Sequence, residues 1–174
     1  MSLGVGETAP DFRFTDVDGN ESSLYAWLES GPVVLNFFRG LWCVYCTSEL
    51  EAYEEIQAQL AEVNCRYLAV SPQHVTGHPV AGEHEPGYPC LTDHDNQVAR
   101  KFGIVYRLGD EEVELFSGWG LRLDEVNQCG EWELPVPATF VIAPDRTVAY
   151  RFVDVDFRQR CCPEDLLEEV RRLG

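Results

Sequence analysis

The chain has 174 residues, 45% of them hydrophobic and 25% charged, enough for one domain with a full core and no need of disulfide staples. A net charge of −17, from 30 acidic residues against 13 basic ones, disfavours nucleic acid and anionic membrane as partners. No stretch shows the basic start and apolar run of a signal peptide, or the ~18 apolar residues of a membrane span, so a cytoplasmic location is expected.

In chain order, "DFRFTDVDGNESSL" alternates Phe12 and Phe14 and turns at Asp18-Gly19, which predicts a hairpin. "DVDGN" has the opening of a calcium loop, but lacks the downstream glutamate and reads as a plain turn. "PVVLNFF" is a continuous apolar run bounded by glycines, as a strand covered on both faces would be. Leu50, Tyr53, Ile56, Leu60 and Val63 then recur at three- and four-residue steps, predicting an amphipathic helix over 47–63, and Glu49 in its first turn is expected in solvent. "CRYLAVS" is a second buried strand, followed by an irregular stretch rich in Pro, Gly and His. "DHDNQVARKFG" predicts a helix capped by Asp93 or Asp95 and closed by Gly103. "GDEEVELFSGWG" holds a short helix, and "ATFVIA" and "TVAYRFV" form an antiparallel pair turning at Pro144-Asp145. "PEDLLEEVRRL" closes the chain as a helix with Pro163 at its first position.

Strands alternating with helices imply a parallel core sheet covered on both faces, and the late pair adds antiparallel strands. The expected fold class is therefore α/β: a thioredoxin-like mixed sheet flanked by helices, with an N-terminal β-hairpin extension, in a single domain over 1–174.

Seven cysteines, odd in number and irregular in spacing, do not describe a secreted disulfide framework. Two of them, Cys43 and Cys46, form a C-x-x-C at the end of a core strand and the start of a helix, where open α/β sheets place their sites. Unpaired N–H groups at a helix start favour a thiolate, and two intervening residues bring the second sulfur within disulfide reach of the first. Trp42 and Tyr45 wall this pair. Zinc would need two further ligands, and the chain offers only a loose Cys90 and His94 beside four scattered histidines, so no metal or cofactor is expected. Pro137, in "LPVPATFVIA", stands directly before a buried strand and suits a tight cis turn that exposes backbone, with Val136, to a substrate. Cys65 reads as a packed thiol. Cys162, at the cap of the last helix, is a candidate resolving cysteine.

On these residues the chain resembles the alkyl hydroperoxide reductase/thiol-specific antioxidant family, the peroxiredoxins and their relatives. "GETAPDFRFTDVDGN", "PVVLNFF" with "CTSEL", "YPCLTDHDNQVARKFGIVYRL" and "ATFVIAPDRTV" carry the likeness over nearly the whole length. The active site resembles a branch reading R-G-x-W-C-x-Y-C. Aligned through "CTSEL", the resemblance puts the peroxidatic cysteine on Cys46, with Cys43 in place of a threonine and Arg39 in place of a proline. The family's activating arginine is replaced by Pro137. Arg39 is then the candidate source of positive charge, four residues before Cys43.

The resemblance implies a thiol peroxidase: Cys46 attacks a hydroperoxide, Cys43 forms the disulfide, and a thioredoxin- or glutaredoxin-like donor reduces it. Pro137 with the C-x-x-C favours a thiol–disulfide oxidoreductase instead, with Cys43 as nucleophile toward a protein disulfide and Cys46 resolving. A third reading is a metal-binding or redox-sensing module without turnover. Homodimers are common among such relatives, although nothing in these residues specifies an interface.

Overall fold

The computed structural model of the chain describes residues 1–16, 18–73 and 88–174. The alternation of Phe12 and Phe14 makes the expected hairpin, β1 (Arg13–Thr15) with β2 (Glu21–Ser23), and buries both rings. The Asp16 carboxylate closes its turn by accepting the backbone N–H groups of Asp18 and Asn20 at 3.0 and 2.9 Å, a side chain standing in for backbone. Ser23 then caps a short helix, α1 (Leu24–Leu28). The apolar run becomes β3 (Val33–Phe37), buried at every residue.

The helix predicted over 47–63 starts earlier and is broken in two, α2 (Val44–Glu54) and α3 (Gln57–Glu62). The Gln57 side-chain amide donates to the Tyr53 carbonyl at 2.9 Å, and the Ile56 N–H reaches the same oxygen at 3.3 Å. The acceptor for the next α-helical bond is thus already occupied, and the ladder restarts. The apolar stripe survives the break, with Leu50, Tyr53, Ile56 and Leu60 buried.

The second core strand is β4 (Arg66–Ser71), and β5 (Cys90–Thr92), read from sequence as irregular, pairs parallel to it. The Asp93 carboxylate accepts the N–H groups of Val98 and Ala99, both at 2.9 Å, across a 3-10 turn into α4 (Gln97–Lys101). Asp93, not Asp95, is therefore the cap; Asp95 lies in the left-handed region at φ 55°. Two strands too short to show a period, β6 (Val105–Arg107) and β7 (Glu133–Pro135), pair with each other. Between them run α5 (Asp110–Gly118), as predicted, and α6 (Leu123–Val126). The closing hairpin is β8 (Ala138–Ile142) with β9 (Val148–Val153), and α7 (Pro163–Arg171) ends the chain with Pro163 first.

The central sheet runs β5-β4-β3-β8-β9, parallel among β3, β4 and β5 and antiparallel at β8 and β9. This is the mixed, helix-flanked sheet expected. Because β3 alternates its side chains, Val33, Leu35 and Phe37 join the layer under α1 and α4, while Val34 and Phe38 join the layer under α2 and α7. Asn36 shares that second face. A smaller cluster of Leu108, Phe116, Leu123 and Leu134 roots α5 and α6.

One expectation is corrected. No cis peptide bond occurs among the described residues, so Pro137 makes no cis turn. Only Val136 and Pro137 separate β7 from β8, and the Val136 N–H donates to the Ile104 carbonyl at 2.7 Å, which ties down the link between the two strands. Among the described residues no helix is long and apolar enough to cross a membrane.

Candidate active site

The site begins where β3 ends. Arg39, Gly40, Leu41 and Trp42 cross the end of the sheet to reach Cys43, the cap of α2. Gly40 is required by close approach: a Cβ there would stand 2.3 Å from Trp42 Nε1 and 2.9 Å from Gln73 Oε1. Gln73 Oε1 in turn accepts the Leu41 N–H at 2.6 Å, which holds the loop against the segment following β4.

The two sulfurs are unequal. Cys43 Sγ accepts the Cys46 backbone N–H at 3.3 Å and Arg39 Nη2 at 3.5 Å. These donors and the Cys46 thiol make an anion-binding cradle at the helix start. The hydrogen bond from the Cys46 side chain is the largest influence on Cys43. It outweighs burial and, with Arg39, brings the thiol from 9.0 down to about 5. Cys46 moves the other way: burial, then the bond to Cys43 and its charge, keep the proton on, with Arg160 opposing. Burial of Cys46 and the donors around Cys43 Sγ thus both favour the thiolate on Cys43.

Arg39 is fixed for this role. Its guanidinium lies between two rings, 5.0 Å from the Trp42 centroid and 4.2 Å from that of Phe157, a favourable arrangement for a buried cation. The nearby Tyr106 hydroxyl also favours the guanidinium's charged form. Burial alone would lower its affinity for a proton, but the Cys43 bond and charge raise it, so Arg39 stays charged.

A second arginine was not visible from sequence. Arg160, between β9 and α7, places Nη2 3.3 Å from Cys46 Sγ and 4.0 Å from Cys43 Sγ. Its Nη1 meets Glu49 Oε2 at 3.2 Å, and the other Glu49 oxygen accepts from Asn36 Nδ2. Glu49, expected in solvent, is thus buried, because the α2 face that carries Cys46 also turns this carboxylate toward Asn36 on β3. Nothing near Arg160 in the sequence marks it: 114 residues separate it from Cys46.

Cys43 opens onto a groove of about 700 Å³, whose apolar wall is made by Trp42, Leu115, Phe116, Trp119, Leu121 and Phe157. Tyr45 and Val44 stand at its edge, and Glu112 adds an acidic group to the lining. Trp42 and Tyr45 both line this groove. Trp119 lies on the groove, 69% exposed, whereas Trp132 packs on the small cluster below. Neither Pro137 nor Val136 lines the groove; Val136 packs into the layer on the opposite face of the sheet. Cys162 is exposed at the start of α7, where its thiol donates to the Glu164 carboxylate at 2.6 Å. Burial pushes the Cys65 and Cys90 thiols up to about 12, which suits packed, inert sulfur. His74, His78 and His84 lie outside the described residues. Among the described residues no three His, Cys, Asp or Glu side chains gather as a metal site.

The AhpC/TSA family model matches residues 5–151. The chain belongs to that family. A Mycobacterium tuberculosis protein named "Putative peroxiredoxin" is 31% identical over 103 residues, covering 59% of this chain and 67% of the relative. Thiol-disulfide oxidoreductase ResA of Geobacillus thermodenitrificans is 30% identical over 109 residues, covering 59% of each chain. The crystal structure of peroxidoxin BcpB from Mycobacterium tuberculosis superposes with a TM-score of 0.71 at 23% identity, covering 99% of both chains. That of a Xylella fastidiosa PrxQ mutant superposes with a TM-score of 0.74 at 14% identity, covering 99% of this chain and 98% of that one. These superpositions establish the peroxiredoxin version of the thioredoxin-like fold. Family membership makes this peroxiredoxin-like chain an enzyme, a thiol-dependent antioxidant oxidoreductase of the thiol peroxidase kind.

Proposed function

We propose that this enzyme reduces hydroperoxides through Cys43, with Cys46 as the resolving sulfur, the reverse of the order implied by alignment through "CTSEL". The observation that carries this reading is the asymmetry of the pair. The Cys43 thiol is drawn well below its ordinary value, lines the groove although only 3% exposed, and has Arg39 beside it, whereas Cys46 is fully buried and favoured in its protonated form.

In the first step the Cys43 thiolate attacks the terminal peroxide oxygen. A sulfur–oxygen bond forms, the O–O bond breaks, and the leaving alkoxide takes the hydroperoxide's own proton. Arg39 supplies positive charge where the oxygens develop negative charge. The sulfenate left on Cys43 gains a proton and condenses with the Cys46 thiol, giving the disulfide and one water. A thioredoxin- or glutaredoxin-like dithiol then reduces the pair by exchange.

Three reduced proteins test the order: wild type, Cys43→Ser and Cys46→Ser, each given one equivalent of hydroperoxide. Cys46→Ser should consume one equivalent and carry a trappable sulfenate on Cys43, and Cys43→Ser should lose rapid consumption. Fast turnover by Cys43→Ser, with sulfenate on Cys46, would overturn the assignment.

The apolar wall supports a hydroperoxide with a bulky apolar substituent. Trp119→Ala removes part of that wall without touching either sulfur. It is expected to raise KM for cumene hydroperoxide by about five- to tenfold, the effect of roughly 1 kcal/mol of apolar contact. The rate with hydrogen peroxide, which has nothing to place there, should stay within about twofold of wild type. Equal losses for both substrates would exclude this role for the groove.

Disulfide exchange by the same sulfur is the second reading, favoured by exposed Val44 and Tyr45 beside Cys43, a surface suited to a peptide. Insulin reduction lost in Cys43→Ser, at a rate comparable with peroxide turnover in wild type, would support it.

A further inference from the structure

Each sulfur of the pair has its own arginine, and only one arginine has a part in the attack on peroxide. Arg39 reaches Cys43 from the loop after β3. Arg160 reaches Cys46 from the segment between β9 and α7, nearer to Cys46 at 3.3 Å than to Cys43 at 4.0 Å.

We propose that Arg160 is a catalytic residue of the second chemical step, where its guanidinium stabilises the Cys46 thiolate that attacks oxidised Cys43. The inference rests on Cys43 attacking peroxide first. It also rests on how firmly the guanidinium is held. The Arg160 side chain is 13% exposed; Nη1 is paired with Glu49 at 3.2 Å, and Nε donates to the Phe157 carbonyl at 2.7 Å. The backbone beside it is pinned by the Tyr53 hydroxyl, which donates to the Cys161 carbonyl at 2.8 Å. Glu49 is held from below by Asn36. The remaining donor, Nη2, is the one aimed at sulfur.

In the resting enzyme the Cys43 thiolate beside Cys46 prevents a second ionisation, since two anions cannot share so small a buried volume. Attack on peroxide leaves a sulfenate on Cys43, and once it takes a proton from solvent the neutral sulfenic acid no longer repels an anion on Cys46. Arg160 then faces the sulfur of the pair that is still able to become an anion. As Cys46 attacks, the S–S bond forms, the Cys43 S–O bond breaks, and the Cys46 proton leaves with the sulfenic oxygen as water. The charge required at each sulfur is thus supplied in sequence by two guanidinium groups on two separate segments.

Single-turnover kinetics of Arg160→Gln and Arg160→Lys separate the steps, with sulfenate formation and disulfide formation followed by rapid trapping and mass mapping. Sulfenate should form on Cys43 in Arg160→Gln within about twofold of the wild-type rate, while disulfide formation slows by about tenfold or more, the scale of one charge-assisted donor. Arg160→Lys, which keeps the charge, should recover part of that loss. Unchanged disulfide formation in Arg160→Gln overturns the proposal. So does equal slowing of both steps with no recovery in Arg160→Lys, the pattern of an anchor for the segment. Sulfenate mapped to Cys46 would instead overturn the order of attack, a failure distinguishable from both.

Discussion

Alkylation of the reduced enzyme by iodoacetamide is expected to rise with pH along a curve centred near pH 5, with Cys43 as the modified residue. The midpoint follows from Cys43 at about 5, since the thiolate is the nucleophile. Replacing the donors tests the causes in order. Cys46→Ala should move the midpoint up furthest, because the bond from the Cys46 side chain is the largest influence; Arg39→Met should move it by a smaller amount. A wild-type midpoint at the value of a free thiol, about 8.5, would show that the cradle does not act. The same shift has a sign for stability. The folded value lies below the unfolded one, so the thiolate's contribution is fully present above about pH 9 and is lost as pH falls toward about 5. Urea unfolding of the reduced enzyme minus that of Cys43→Ser should therefore decline over that window.

Glu49→Ala should be among the most destabilising single changes, costing about 3–5 kcal/mol in denaturant unfolding. Removing one partner of a buried ion pair leaves the other charge without compensation. Here Arg160 would lose its 3.2 Å partner and Asn36 its acceptor, both in a packed layer. Arg160 would retain only sulfur and the Phe157 carbonyl. Glu49→Gln keeps the shape and an acceptor and should cost less. A loss below about 1 kcal/mol for Glu49→Ala would mean that water replaces the carboxylate, as at an exposed pair.

The parts of the fold legible in sequence are those whose periodicity is long enough to read. "PVVLNFF" and "ATFVIA" are continuous apolar runs, and the strands they form are buried along their length. "PEDLLEEVRRL" combines a first-position proline with an apolar stripe and is a helix over Pro163–Arg171. The strands at Cys90–Thr92, Val105–Arg107 and Glu133–Pro135 have three residues each, too few for any period to register. The break after Glu54 escaped for another reason: a glutamine side chain took a carbonyl from the helix ladder, and glutamine is an ordinary helix residue.

In the site, local grammar located Cys43, Cys46, Arg39, Trp42 and Tyr45, all within one strand-to-helix junction. By itself the sequence determined the C-x-x-C pair, its place at a helix start and the family, because these depend on residues a few positions apart. The inequality of the two sulfurs shows only in the tertiary structure. That difference arises from burial of Cys46 on the inner face of α2 and from the donors gathered on Cys43 Sγ, while Arg160, arriving from more than a hundred residues away beside the inward-turned Glu49, opposes it. Electrostatic energy in a buried site depends on distance and solvent exclusion, and neither quantity is written in residue spacing.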